Sequence, residues 1–104
     1  MPKVMFTISY DVIPEKRGEY LALAAEMYDH LVQQKGKKYT VYEEKNKRNS
    51  FVEVFLCDSM EEFDALEDDQ DERTELLVQR LEPFLKNGKM KYSTLVEISG
   101  QVTP

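Results

Sequence analysis

Four stretches of this chain alternate with a period of two, and two stretches between them repeat every three to four residues. That order leaves few folds open. Residues 4–12 set Val4, Phe6, Ile8 and Tyr10 against Met5, Thr7 and Ser9. Residues 15–34 carry a helical stripe of Tyr20, Leu23, Ala24, Met27 and Leu31, widened by Leu21, Tyr28 and Val32. Pro14 suits the first turn of that helix, and Gly36 suits the left-handed residue just past its end. Residues 38–44 and 51–57 read as a hairpin across the polar run 45–50. Ser59-Met60-Glu61-Glu62 is a capping box, with the Glu62 carboxylate expected to reach back to Ser59. No apolar residue lies between Glu67 and Arg73, so the second helix should loosen there. It should resume through Leu76, Leu77, Leu81, Phe84 and Leu85 and end at Asn87-Gly88. Residues 90–98 alternate as the last strand, and 100–104 read as a tail. The expected fold is one α+β domain over residues 1–104, βαββαβ, with two helices on one face of an antiparallel sheet.

Two helices cover only one face of such a sheet. The third strand nevertheless reads as apolar on both faces: Val52, Val54 and Leu56 on one, Phe51, Phe55 and Cys57 around Glu53 on the other. The first strand adds Met5 to its second face. Strands apolar on both sides are buried on both sides, so strands one and three should be central. A second copy of the chain is the economical cover for the reverse face. Met5, Thr7, Phe51, Glu53 and Phe55 are the expected dimer interface. Burial of the two phenylalanines there would contribute about 3–6 kcal/mol per protomer before association costs.

Among the 104 residues, 20 are acidic and 14 basic, a formal net charge of −6, which argues against nucleic acid as a partner. The lysine clusters at 35–38 and 45–48 flank turns and read as solvated loops. No segment approaches the roughly 20 apolar residues of a membrane helix, and the N-terminus lacks a signal-like apolar stretch. With Cys57 as the single cysteine, an intramolecular disulfide is excluded and a reducing, cytoplasmic setting is expected.

This layout resembles the antibiotic-biosynthesis-monooxygenase group of dimeric α/β-barrel proteins over nearly the whole chain. Three segments carry the likeness: the helix entry Val12-Ile13-Pro14-Glu15-Lys16, the strand-to-helix run Asp58-Ser59-Met60-Glu61-Glu62-Phe63, and the Leu-rich ending Leu81-Glu82-Pro83-Phe84-Leu85. The resemblance implies a ferredoxin-like protomer, a homodimer that closes two sheets into a barrel, and a pocket between sheet and helices. It also implies cofactor-free oxidoreductase chemistry on a small aromatic or quinone-like molecule. The haem-degrading branch of the group uses Asn, Trp and His; here the matching first-strand region offers Ile8, no Trp is present, and the helix break offers Glu67, Asp68 and Asp69.

On that basis the pocket is expected to be lined by Phe6, Ile8, Tyr10, Tyr28, Tyr42, Leu66 and Asp68. Tyr10 and Asp68 are the catalytic candidates, because a phenol or a carboxyl facing an apolar pocket can orient a substrate or move a proton. His30 is the lone histidine, about 100° from the centre of the first helix's stripe, and is expected at the helix boundary. The ten carboxylates between Asp58 and Glu75 read as a solvated face, with no calcium-loop spacing. No metal and no cofactor is expected. The alternative function is a non-catalytic dimeric module that binds a ligand or another protein.

Overall fold

A computed structural model of the chain describes residues 2–69 and 71–98; the tail expected at 100–104 lies outside the described residues. In chain order the elements are β1 (Val4–Asp11), α1 (Arg17–Tyr28), β2 (Lys38–Glu43), β3 (Ser50–Cys57), α2 (Met60–Asp68), α3 (Glu72–Leu81) and β4 (Lys91–Val96). The sheet is antiparallel in the order β2-β3-β1-β4, so β3 and β1 are central, as the apolar patterning requires. The second helix breaks between Asp68 and Glu72, where its sequence has no apolar anchor. Among the described residues no helix is long and apolar enough to cross a membrane.

Local chemistry sets these boundaries. Ser59 Oγ accepts from the Glu62 amide at 3.1 Å, while the Glu62 carboxylate reaches one residue further back than expected, to the Asp58 amide at 2.9 Å. Pro14 opens a short 3-10 turn before α1. From Asp29 to Gln34 the first helix widens into a π-helical turn. Gly36, at φ +69°, then reverses the chain, and the Lys37 amide bonds the Leu31 carbonyl at 2.8 Å.

The core lies between the helices and one sheet face. Tyr20, Leu23, Met27 and Leu31 from the first helix meet Leu77, Leu81 and Leu85 over Tyr10, Tyr39, Phe51 and Phe55 of the sheet. Arg80 on α3 grips Glu26 on α1 with two bonds of 2.9 and 2.6 Å.

This arrangement corrects the expected interface. Phe51, Glu53 and Phe55 face the helices and are buried; they do not lie on the open face. Register gives the reason. Phe6 pairs with Phe55, Ile8 with Glu53 and Tyr10 with Phe51, so these β3 residues share the helix-facing side of β1. Met5 and Thr7 do lie on the open side, opposite Leu56 and Val54, with Leu95 and Ser93 beyond them on β4. Glu53, expected at the interface, is instead satisfied inside the core by a tyrosine hydroxyl.

Candidate functional site

A cleft of about 320 Å³ opens between the sheet, the π-helical turn and the break between α2 and α3. Phe6 and Ile8 from β1, Phe55 from β3, Leu31 and Leu66 make its apolar floor and walls. Lys37, Glu67, Asp69, Asp71 and Thr74 supply its polar side. Each element has a reason to be there. Strand alternation points Phe6, Ile8 and Phe55 toward the helices. The end of α2 at Asp68 and the start of α3 at Glu72 border the cleft beside them.

Asp71 anchors the polar side. It caps α3, accepting the Arg73 amide at Oδ1 (3.3 Å) and the Thr74 hydroxyl at Oδ2 (2.6 Å). His30 Nε2 also bonds Asp71 Oδ2, and Lys35 Nζ lies 3.8 Å from the same oxygen. The Thr74 hydroxyl and then the His30 ring hold the Asp71 carboxyl well below the usual carboxylate range. His30 is buried, with Nδ1 3.1 Å from Gln34 Oε1. It sits in the π-helical turn that follows α1. Within that turn the neighbours His30 and Leu31 are both buried. At the lip, Lys35 Nζ meets Asp69 Oδ2 at 2.8 Å and Lys37 Nζ lies 3.8 Å from it.

Beside the cleft floor runs a second polar cluster. Glu53 stands opposite Ile8 in the β1–β3 register and two residues from Phe55, both of which line the cleft. Tyr39 donates to Glu53 Oε1 at 2.8 Å, and the Tyr10 and Tyr20 hydroxyls are 2.8 Å apart. Burial pushes the Glu53 carboxyl up, against the Tyr10 and Tyr39 hydroxyls, which favour its ionised form. Burial first, and the Glu53 charge second, push the Tyr10 and Tyr39 hydroxyls far above their usual range.

The structure sorts the expected lining residues. Phe6, Ile8 and Leu66 line the cleft. Tyr10 does not: it is buried with its hydroxyl on Tyr20, against the core side of α1. Tyr28 lies exposed, because the first helix turns it off the buried stripe. Tyr42 pairs with Val52 and so stands on the open sheet face, where it is also exposed. Asp68 is exposed at the end of α2, while its neighbours Glu67 and Asp69 line the cleft instead. Tyr10 and Asp68 therefore do not meet across a pocket.

Asp71, His30, Thr74, Lys37 and Phe55 were not among the expected lining residues. Asp71 carried a readable signal, an aspartate at a helix start with glutamates in the first turn. His30 carried none, since its partner Asp71 lies 41 residues away. Cys57 packs with Val4 and Phe63, and burial pushes its thiol up, away from the reactive range.

The sequence matches no family model and no curated protein. Solved structures match it in fold. A mutant form of SnoaB, a cofactor-independent oxygenase from Streptomyces nogalater, superposes with a TM-score of 0.72 at 15% identity, over 97% of this chain and 98% of that one. A candidate antibiotic biosynthesis monooxygenase from Caulobacter crescentus gives 0.76 at 14% identity, over 90% and 88%. A conserved protein from Methanosarcina mazei gives 0.76 at 16% identity, over 91% and 92%. By its sheet order, its helical layer and these superpositions, the chain has the ferredoxin-like α+β fold of the antibiotic-biosynthesis-monooxygenase-like proteins.

Proposed function

We propose that this chain is a cofactor-independent, monooxygenase-like enzyme that acts on a small aromatic or quinone-like substrate and works as a cytoplasmic homodimer. The cleft carries the proposal: an aromatic-floored space of about 320 Å³ with its polar groups gathered on one side suits a planar ring with one polar head. The fold shared with SnoaB, described as a cofactor-independent oxygenase, supports the reaction type by analogy. For a phenol, such a reaction turns a ring C–H into a second carbonyl. One atom of O2 forms the new C=O bond and the other leaves as water with that ring hydrogen and the phenol hydrogen, so the substrate supplies every electron.

A second copy is proposed to cover the open sheet face. Met5, Leu56, Leu95 and Tyr42 are exposed there, with Val52 and Val54 between them. The catalytic proposal is tested by oxygen uptake with a panel of phenols and hydroquinones. Turnover by at least one compound is expected, with loss in Leu66→Trp, which fills the cleft, and retention in Tyr10→Phe, which lies outside it. Silence across the panel refutes the enzymatic assignment.

A further inference from the structure

The hydrogen-bond inventory of the cleft restricts the head group of whatever enters it. Asp71 and Thr74 form its polar corner above Phe6, Ile8, Phe55 and Leu66. The Thr74 hydroxyl spends its one hydrogen on Asp71 Oδ2 at 2.6 Å, so toward the cleft it can only accept. Asp71 Oδ2 is already occupied by Thr74 and His30. Asp71 Oδ1 meets, among the described residues, only the Arg73 amide at a long 3.3 Å, which leaves it acceptor capacity. Among the described residues Lys37 is the lysine lining the cleft, facing Asp69 at 3.8 Å beside Glu67 and Asp71, while Lys35 at the lip is held by Asp69 at 2.8 Å and lies 3.8 Å from Asp71 Oδ2, so three carboxylates still outnumber two lysines.

We propose that the cleft selects aromatic molecules whose head is a hydrogen-bond donor, a ring hydroxyl received by Asp71, and rejects those whose head is a carboxylate. A hydroxyl bonded to an ionised carboxylate is a charge-assisted contact, whereas a carboxylate head meets acceptors and like charge. His30 acts behind Asp71 as a positioning residue, fixing Oδ2 and thereby the direction of Oδ1. This specificity rests on the small-molecule assignment of the same cleft.

The test compares three probes with one ring system, 2-naphthol, 2-methoxynaphthalene and 2-naphthoate, by equilibrium binding to the full chain at neutral pH, read from probe fluorescence. The first is expected to bind about tenfold more tightly than either of the others. In Asp71→Asn, which keeps a capping side chain but presents a donor as well, that preference should shrink several-fold. Leu66→Trp should weaken all three. Equal binding of the three probes by the wild-type chain overturns the donor-head inference and leaves the cleft a binding site. Binding of none overturns the small-molecule assignment together with it. An unchanged preference in Asp71→Asn, or binding untouched by Leu66→Trp, also overturns the inference. The wild-type comparison needs no variant to fold.

Discussion

Tyr39 donates its hydroxyl to Glu53 Oε1 at 2.8 Å across the β2–β3 pair, so a carboxyl stands inside the core, between Phe51 and Phe55, with a phenol as its partner. The two side chains are diagonal neighbours on the helix-facing side, because Tyr39 pairs with Phe55 and Val41 with Glu53.

Stability should therefore depend on pH through Glu53. Its folded-state pKa is raised above the ordinary 4.5, chiefly by burial, so the folded protein holds this proton more tightly than the unfolded chain does. The contribution is full below about 4.5 and is lost as pH rises through the folded value. Urea denaturation across this range should show Glu53→Gln removing that part of the slope. Tyr39→Phe takes a donor from the carboxyl and should cost about 1–3 kcal/mol, more above the folded pKa of Glu53 than below it. Equal losses on both sides of that value would falsify the coupling.

Phe55 and Leu56 are adjacent in sequence and should fail in different ways. Phe55 is packed beneath the helices, so Phe55→Ala should cost about 3–5 kcal/mol of fold stability and leave the dimer–monomer equilibrium of the folded protein unchanged. Leu56 is exposed on the other face, so Leu56→Lys should keep the fold and shift a dimer toward monomer in sedimentation experiments. A shift toward monomer in folded Phe55→Ala, with no change of mass in Leu56→Lys, would reverse the face assignment made from the register.

Removing the Asp71 cap should lower Tm, since Asp71→Ala frees the Arg73 amide, the Thr74 hydroxyl and His30 together. The folded pKa of Asp71 is depressed below the ordinary 3.8, so its stabilisation is present above that value and lost as pH falls through the folded one. Thermal melts of Asp71→Ala and wild type should therefore converge in strong acid and separate near neutrality. Parallel curves at all pH values would show that capping geometry, without charge, accounts for the effect.

Gly36→Ala offers a local test of the turn that delivers Lys37 to the cleft. No heavy atom lies within 4 Å of an added Cβ, so the penalty comes from the left-handed backbone alone. Chemical denaturation should show a loss of about 1–2 kcal/mol. A neutral outcome would mean that the chain finds another way out of the π-helical turn.

The order and type of elements were legible because they follow from periodicity along the chain. The alternation in β1 and β3, the capping box at Ser59 and the missing apolar anchor at 67–73 each act locally, and each sits where its spacing places it. The central position of β1 and β3 was equally legible, since only strands covered on both faces tolerate such continuous apolar character. The direction of β3 was not. Its two alternating sets, Phe51-Glu53-Phe55 and Val52-Val54-Leu56, are both apolar enough to face the core, and long-range pairing with β1 made the choice.

The site divides along the same line. Phe6, Ile8 and Leu66 inherit their placement from strand and helix period, so the sequence alone located them. His30 and Asp71, 41 residues apart, become partners where the π-helical turn packs beside the start of α3. Tyr10 lost its expected role by the same logic, since Tyr20 on α1 claims its hydroxyl. Period and capping are properties of neighbours along the chain. Which polar groups meet inside the core depends on how separate segments pack, and that information exists only in three dimensions.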